Sequence, residues 1–313
     1  MVFPSGVDVH PLIPPLVAFA ISFFTSTGGV SGAFLLLPFQ VSFLGFTSPA
    51  VSATNQLYNI VAIPSGVYRY FREGRMVWPL TWVVIAATLP GVLAGAWVRV
   101  NYLPDPRHFK FFAGLVLLYL GTRMLPDLIR RRAGDAASAE ARFQSLVAAH
   151  KARQDGTALR LPRVKVQAFT LSRIRYSFYG EAFEFSTVGV FFLSLAVGIV
   201  GGVYGIGGGA ILAPFFVAIY RLPVYTVAGA ALLGTFITSV AGVAFYQFLA
   251  LFHPEVAVAP DYVLGLLFGL GGAAGMYCGA RLQKHAPARA IKWLLVGVLL
   301  FTALTYVVQF FAG

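Results

Sequence analysis

Apolar residues run through this chain in blocks longer than a soluble protein can use. No Asp, Glu, Lys or Arg occurs between Asp8 and Arg69, nor between Glu184 and Arg221. Further uncharged runs cover 76–98, 111–122, 222–254, 262–280 and 293–313. A helix needs about 20 apolar residues to cross a bilayer, so these runs predict membrane crossings. The run 111–122 is short, but Lys110 and Arg123 at its ends can extend to the two interfaces. One stretch, 127–184, breaks the pattern. Residues 135–153 are rich in helix formers and predict a helix. Residues 163–178 partly alternate apolar and polar, as a strand or hairpin does. The chain therefore divides into a first membrane repeat (1–126), a polar cytoplasmic insert (127–184) and a second membrane repeat (185–313).

The two membrane parts resemble each other. Gly29, Gly32 and Pro38 align with Gly205, Gly208 and Pro214, and Gly66 and Tyr70 align with Gly242 and Tyr246 at the same displacement. An internal repeat of this kind is a frequent transporter signature. The first apolar segment of each part (12–44 and 187–220) is too long for one crossing and has a Gly-rich break in its middle. If each break only kinks a crossing, each part crosses four times and the copies are parallel. Arg99, Arg107, Lys110, Arg221, Arg281, Lys284, Arg289 and Lys292 then face outward, eight of the 23 basic residues. If each break folds back as a re-entrant hairpin, each part crosses three times and the copies are inverted. Only Arg99, Arg107 and Lys110 then remain outside, which the excess of Lys and Arg in cytoplasmic loops favours. The expected fold is an all-α polytopic membrane protein of two inverted repeats, each a broken hairpin plus three transmembrane helices, with both termini on the periplasmic side.

Irregular backbone at membrane depth is tolerated only where protein buries it or where it lines a cavity. After each break a helix restarts, near Ala33 and near Ala210, and its first N–H groups and positive dipole end face the break. Two such ends meeting near the midplane would bind an anion without a cationic side chain. Glycines that only let helices pack closely are the plainer alternative. The candidate substrate-binding residues are Ser26, Thr27, Gly28, Gly29 and Ser31 at the first break and Tyr204, Gly205, Gly207, Gly208 and Gly209 at the second. Asn55, Gln56 and Asn59 join them from the following helix, because 55, 56 and 59 share a helix face, with Thr235 and Thr238 from its counterpart. Interhelix hydrogen bonding is the plainer reading of these side chains.

Composition narrows the picture further. The chain of 313 residues is 58% hydrophobic and 11% charged, with a mean hydropathy of +0.78. The formal charge of +12 does not point to nucleic acid, since 11 of the 23 basic residues lie within 127–184 and most others sit in short loops. All 11 acidic residues fall in loops or at segment ends, so an intramembrane carboxylate for a metal cation or a proton relay is not expected. The single cysteine, Cys278, lies in an apolar run, and no Cys/His spacing suggests a metal. No basic segment precedes the first apolar run, so a cleaved leader is not expected. The run Gly205-Ile-Gly-Gly-Gly-Ala lacks both the strand before it and the acidic residue about 20 positions after it that a dinucleotide fingerprint needs. No cofactor and no catalytic set is expected.

The breaks Gly-Gly-Val-Ser-Gly-Ala-Phe-Leu-Leu-Leu-Pro (28–38) and Gly-Ile-Gly-Gly-Gly-Ala-Ile-Leu-Ala-Pro (205–214) are similar to the repeats of the sulfite exporter TauE/SafE family of permeases. Ser52-Ala-Thr-Asn-Gln56 also resembles that family. The resemblance covers nearly the whole chain except the insert, which is longer than a typical member's. It implies a bacterial inner-membrane carrier for sulfite, thiosulfate or an organosulfonate, anions whose oxygens accept hydrogen bonds from N–H and hydroxyl donors. Ser31 stands where a fully Gly-rich copy has glycine, so the hairpins can differ in function. An anion channel of the same architecture is the alternative. Direction, coupling and oligomeric state do not follow from these residues.

Overall fold

A computed structural model describes residues 1–28, 32–72, 74, 76–129, 164–178, 181–209, 211–282 and 288–312. The helix predicted over 135–153 lies outside the described residues. The first half forms α1 (Ile13–Gly28), α2 (Ala33–Ser42), α3 (Ala50–Ala62), α4 (Pro64–Arg72), α5 (Trp78–Asn101) and α6 (Pro106–Ile129). Strands β1 (Lys165–Phe169), β2 (Arg173–Phe178) and β3 (Glu181–Ser186) follow, and then α7 (Thr187–Tyr204), α8 (Leu212–Tyr220), α9 (Val224–Ala250), α10 (Tyr262–Leu282) and α11 (Ala288–Ala312). Among the described residues five helices, α5, α7, α9, α10 and α11, are long and apolar enough to cross a membrane, and α1 and α2 are shorter apolar helices. After its broken pair the first half has α3, α4, α5 and α6, and the second has α9, α10 and α11. The position directly after the pair differs between halves: Pro64 has no N–H to donate and ends α3 just before it, whereas α9 runs for 27 residues without a break.

Glycines set the tightest helix contacts. Gly91 and Gly95 of α5 press on the backbone of α7 at Leu195 and Ile199, and Gly271 and Gly275 of α10 press on α1 at Pro15 and Phe19. A Cβ at any of the four would run into a carbonyl oxygen, so glycine is what permits this approach. Ascending residues meet ascending residues in both contacts, so each of these pairs is parallel. By contrast, Gly114 and Gly121 of α6 meet Tyr306 and Leu300 of α11, and Gln56 and Gly66 meet Gly242 and Leu232 of α9. The elements that correspond between halves therefore lie antiparallel.

The same contacts serve as depth markers for the breaks. α1 enters with Pro15 beside Gly271, and α2 comes back until Phe39 reaches Phe268, their ring centroids 6.4 Å apart. α7 starts beside β3, and α8 comes back until Tyr220 reaches Gly189 and Phe185. Each broken pair leaves by the end at which it came in, and the two use opposite ends of the bundle. One end gathers the chain start, the loops around Thr47, Leu103 and Ala257, and the end of α11, through Ser5–Asp261, Ala50–Ala257, Arg99–Thr47 and Arg107–Phe310 hydrogen bonds.

The sheet caps the other end. It is antiparallel in the order β1-β2-β3, and β3 carries it two residues past position 184 to Ser186, whose hydroxyl accepts from Gly189 N–H to start α7. Ile174, Tyr176, Phe178 and Phe185 point at the bundle and are buried. Tyr176 Oη lies 2.7 Å from Thr226 Oγ1 of α9, and burial pushes its phenol above the ordinary tyrosine range. On the outer face Glu184 accepts from Arg173 and Arg175, which hold its carboxylate below its usual pKa, with Arg175 the stronger influence. The insert is thus fastened to the membrane bundle through this sheet.

Candidate functional site

The two breaks come together on α3. Asn55 Nδ2 donates to the Ala33 carbonyl at the start of α2, at 2.9 Å, and Asn59 Nδ2 donates to Ile206 O in the second break, at 3.0 Å. These residues are one helical turn apart, so a single helix face holds both breaks. Gln40 of α2 donates back to Asn55 Oδ1 at 3.3 Å. Gln56, on the same buried face, turns its carboxamide to Gly242 of α9, and neither of its polar atoms has a partner among the described residues. The Asn59 Oδ1 is likewise buried without a partner among them. Buried orphan amide atoms are costly and uncommon, and here they cluster on the helix between the breaks.

The second break is built to satisfy the end of α7. Gly205 takes the left-handed conformation with φ +84° and Gly207 follows with φ +74°. A Cβ on Gly205 would strike the backbone of Ser52. The carbonyls left unpaired where α7 stops are met by side chains: Tyr246 Oη donates to Gly202 O at 3.0 Å, Ser52 Oγ to Val203 O at 2.9 Å, and Asn59 to Ile206 O. The N–H groups fare differently. Thr238 Oγ1 accepts from Gly208 N–H at 3.0 Å, while Gly207 and Gly209 have no N–H partner among the described residues. Thr235 and Thr238 spend their own protons on the carbonyls of Ala231 and Gly234 one turn back.

A proline ties the breaks to each other. Pro38 inside α2 has no N–H, so the carbonyl of Phe34 four residues earlier loses its helical donor. Tyr204, the last residue of α7, donates its hydroxyl to that carbonyl at 2.8 Å. The first break is less fully described. Ser26, Thr27 and Gly28 form the last turn of α1, and Gly29 and Ser31 lie outside the described residues. Gly32 sits against Tyr58, whose hydroxyl is 2.8 Å from Ser22 Oγ. The first helix restarts at Ala33 and the second at Leu212, both close to the expected positions.

Four contributors are absent from the candidate residues. Gln40 and Tyr58 lie in apolar runs that carry no sequence signal beyond their polar tips, and Tyr246 is marked only by its alignment with Tyr70. Arg99 was expected in an outer loop, but it is in the last turn of α5 and fully buried. It donates to Thr47 O at 2.8 Å and to Leu103 O, lies 3.7 Å from the Phe109 ring centroid, and its Nε has no partner among the described residues. Carbonyls and an aromatic face let a guanidinium stay inside without a carboxylate. Asp261 is also buried, at the start of α10, where it accepts from Leu264 N–H and from Ser5. A groove of about 410 Å³ between α6, α7 and α8 is lined by Phe112, Val197, Ile211, Phe215 and other apolar residues, with Tyr119 the one lining residue that carries a polar group.

The profile of the family described as sulfite exporter TauE/SafE matches residues 15–306, nearly the whole chain including both breaks and α3. The chain belongs to the sulfite exporter TauE/SafE family. TauE/SafE proteins are membrane transporters, not enzymes. A Bacillus subtilis (strain 168) protein named probable membrane transporter protein YdhB is 26% identical over 115 residues, which make up 37% of this chain and 44% of that protein. The match thus spans less than half of that relative. No solved structure gives a match. In this TauE/SafE protein, the helices that pack on the paired Gly-rich breaks, α3 above all, carry many of the buried polar side chains.

Proposed function

We propose that this protein is a secondary carrier of a small sulfur oxyanion, sulfite or a related thiosulfate or organosulfonate, in the bacterial inner membrane. The anion binds between α3 and the two breaks, near the middle of the bilayer. The observation that carries this reading is the convergence of both breaks on one turn of α3, through Asn55 and Asn59. The N–H groups of Gly207 and Gly209, the orphan Gln56 amide and the N-terminus of α2 supply donors around that point. The halves act as inverted copies: the antiparallel placement of α6 with α11 and of α3 with α9 supports this.

Flux of radiolabelled sulfite into proteoliposomes, with and without a pH gradient, tests the proposal. The expected outcome is saturable uptake that shows counterflow and that Asn55→Ala lowers at least about tenfold. Linear flux without counterflow means a channel. Unchanged flux in Asn55→Ala removes Asn55 from the site, and no flux of any sulfur oxyanion by folded wild-type protein overturns the substrate class.

A further inference from the structure

We infer that the edge of the sheet is a lipid anchor: β1 and the turn after it lie on the membrane interface and bind anionic headgroups. Register is the starting point. Val166 pairs with Tyr176, and Phe169 pairs with Ile174. Residues directly opposite across an antiparallel pair share a face, so Val166 and Phe169 are on the face that β2 and β3 bury against the bundle. Three positions apart, they would fall on opposite faces of a regular strand. The register shift between Val166 and Ala168 adds one residue and brings both to the same side.

That apolar face extends one strand beyond the bundle. Ile174 and Tyr176 are fully buried, while Val166 is 46% exposed and Phe169 54%. Leu171 in the following turn is 89% exposed. The turn is fastened where α7 enters the membrane: Thr187 N–H donates to Ser172 O at 3.1 Å and its hydroxyl to Thr170 O at 2.8 Å. The first turns of α7 present Val188 and Phe192, 51% and 62% exposed, to the lipid. The overhang is thus continuous with a lipid-facing surface. Charge agrees: Lys165 lies on the outward face beside it, and residues 127–184 hold 11 basic against six acidic residues. Apolar side chains at headgroup depth with cations above them suit an anionic leaflet.

The test uses full-length protein in lipid nanodiscs containing phosphatidylglycerol, in a Cys278→Ser background. Single cysteines Phe169→Cys and Leu171→Cys, with Lys165→Cys as the outward-facing control, carry an environment-sensitive fluorophore. The expected result is that a lipid spin-labelled near its headgroup cuts emission about twofold or more at 169 and 171 and leaves 165 unchanged, with aqueous iodide showing the reverse order. Quenching of 169 and 171 by iodide alone overturns the inference, because the edge then stands in water. Quenching by neither agent also overturns it, because protein then covers the edge. The outcome is independent of whether sulfite is transported.

Discussion

Gly91 and Gly95 on α5 meet α7 just as Gly271 and Gly275 on α10 meet α1. The glycines and the residues they touch, Pro15 with Leu195 and Phe19 with Ile199, all correspond at one displacement of 180 positions. At that displacement the buried Arg99 falls on Gly279. Side chains near the breaks diverge as much. α3 offers three carboxamides, two of which donate to break carbonyls, whereas the hydroxyls of Thr235 and Thr238 on α9 turn their protons back onto their own helix. Backbone geometry is duplicated and chemistry is not. A repeat can therefore keep the scaffold needed for two hairpins while placing carboxamides on one half and hydroxyls at the matching positions of the other.

The strongest way to break that comparison is to attack the shared part. Gly95→Ala and Gly275→Ala each force a methyl into a carbonyl and are expected to cost about 3 kcal/mol apiece. Thermal unfolding of the purified proteins should show two similar losses; a large loss in one half alone would mean the contacts are not equivalent. Next comes the unequal part. Asn59→Ala strands Ile206 O and is expected to cost about 1–3 kcal/mol, while Thr235→Val, which deletes only a hydroxyl bonded within its own helix, should cost under about 1 kcal/mol. Equal losses would erase the proposed division of roles. Tyr204→Phe should cost about 1 kcal/mol by leaving Phe34 O without a donor. Pro38→Ala restores an N–H beneath that carbonyl, so the double variant should lose less than the two single changes combined. Strict additivity would show that the tyrosine and the proline are unrelated.

The smallest expected effect lies outside the membrane. Glu184 has its pKa lowered by Arg175 and Arg173, so its ion pairs favour the folded sheet above the ordinary carboxylate pKa and the benefit fades as pH falls through the lowered value. The pairs are exposed, and Glu184→Gln should change unfolding at neutral pH little. Any difference from wild type should shrink further in acid.

Much of this architecture was legible in the residues. Two Gly-rich interruptions inside overlong apolar runs pointed to the two breaks, and the basic loops favoured the inverted arrangement that the antiparallel helix pairs support. Alternation over 163–178 announced strands, but not the third, since Glu181 to Ser186 lies next to an apolar run and its pairing is set by Tyr176 and Phe185 meeting the bundle. Arg99 misled because charge counting treats a cation at a run's end as solvated, whereas carbonyls and the Phe109 ring can replace water. The Gly-xxx-Gly spacing at 91/95 and 271/275 was a readable signal for close helix packing, masked by how common glycine is in this chain. The Pro38–Tyr204 link could not be read at all, because the two residues are joined only by the fold.

Helices that touch main chain to main chain have no side chains between them to take up a shift. α5 with α7, and α10 with α1, are accordingly stiff composite beams, each made from one helix of either repeat. Any rocking that opens this bundle to one side and then the other must carry those beams whole. Under the proposed carrier reading the rigid units are mixed in origin, and the boundary between the repeats does not divide them.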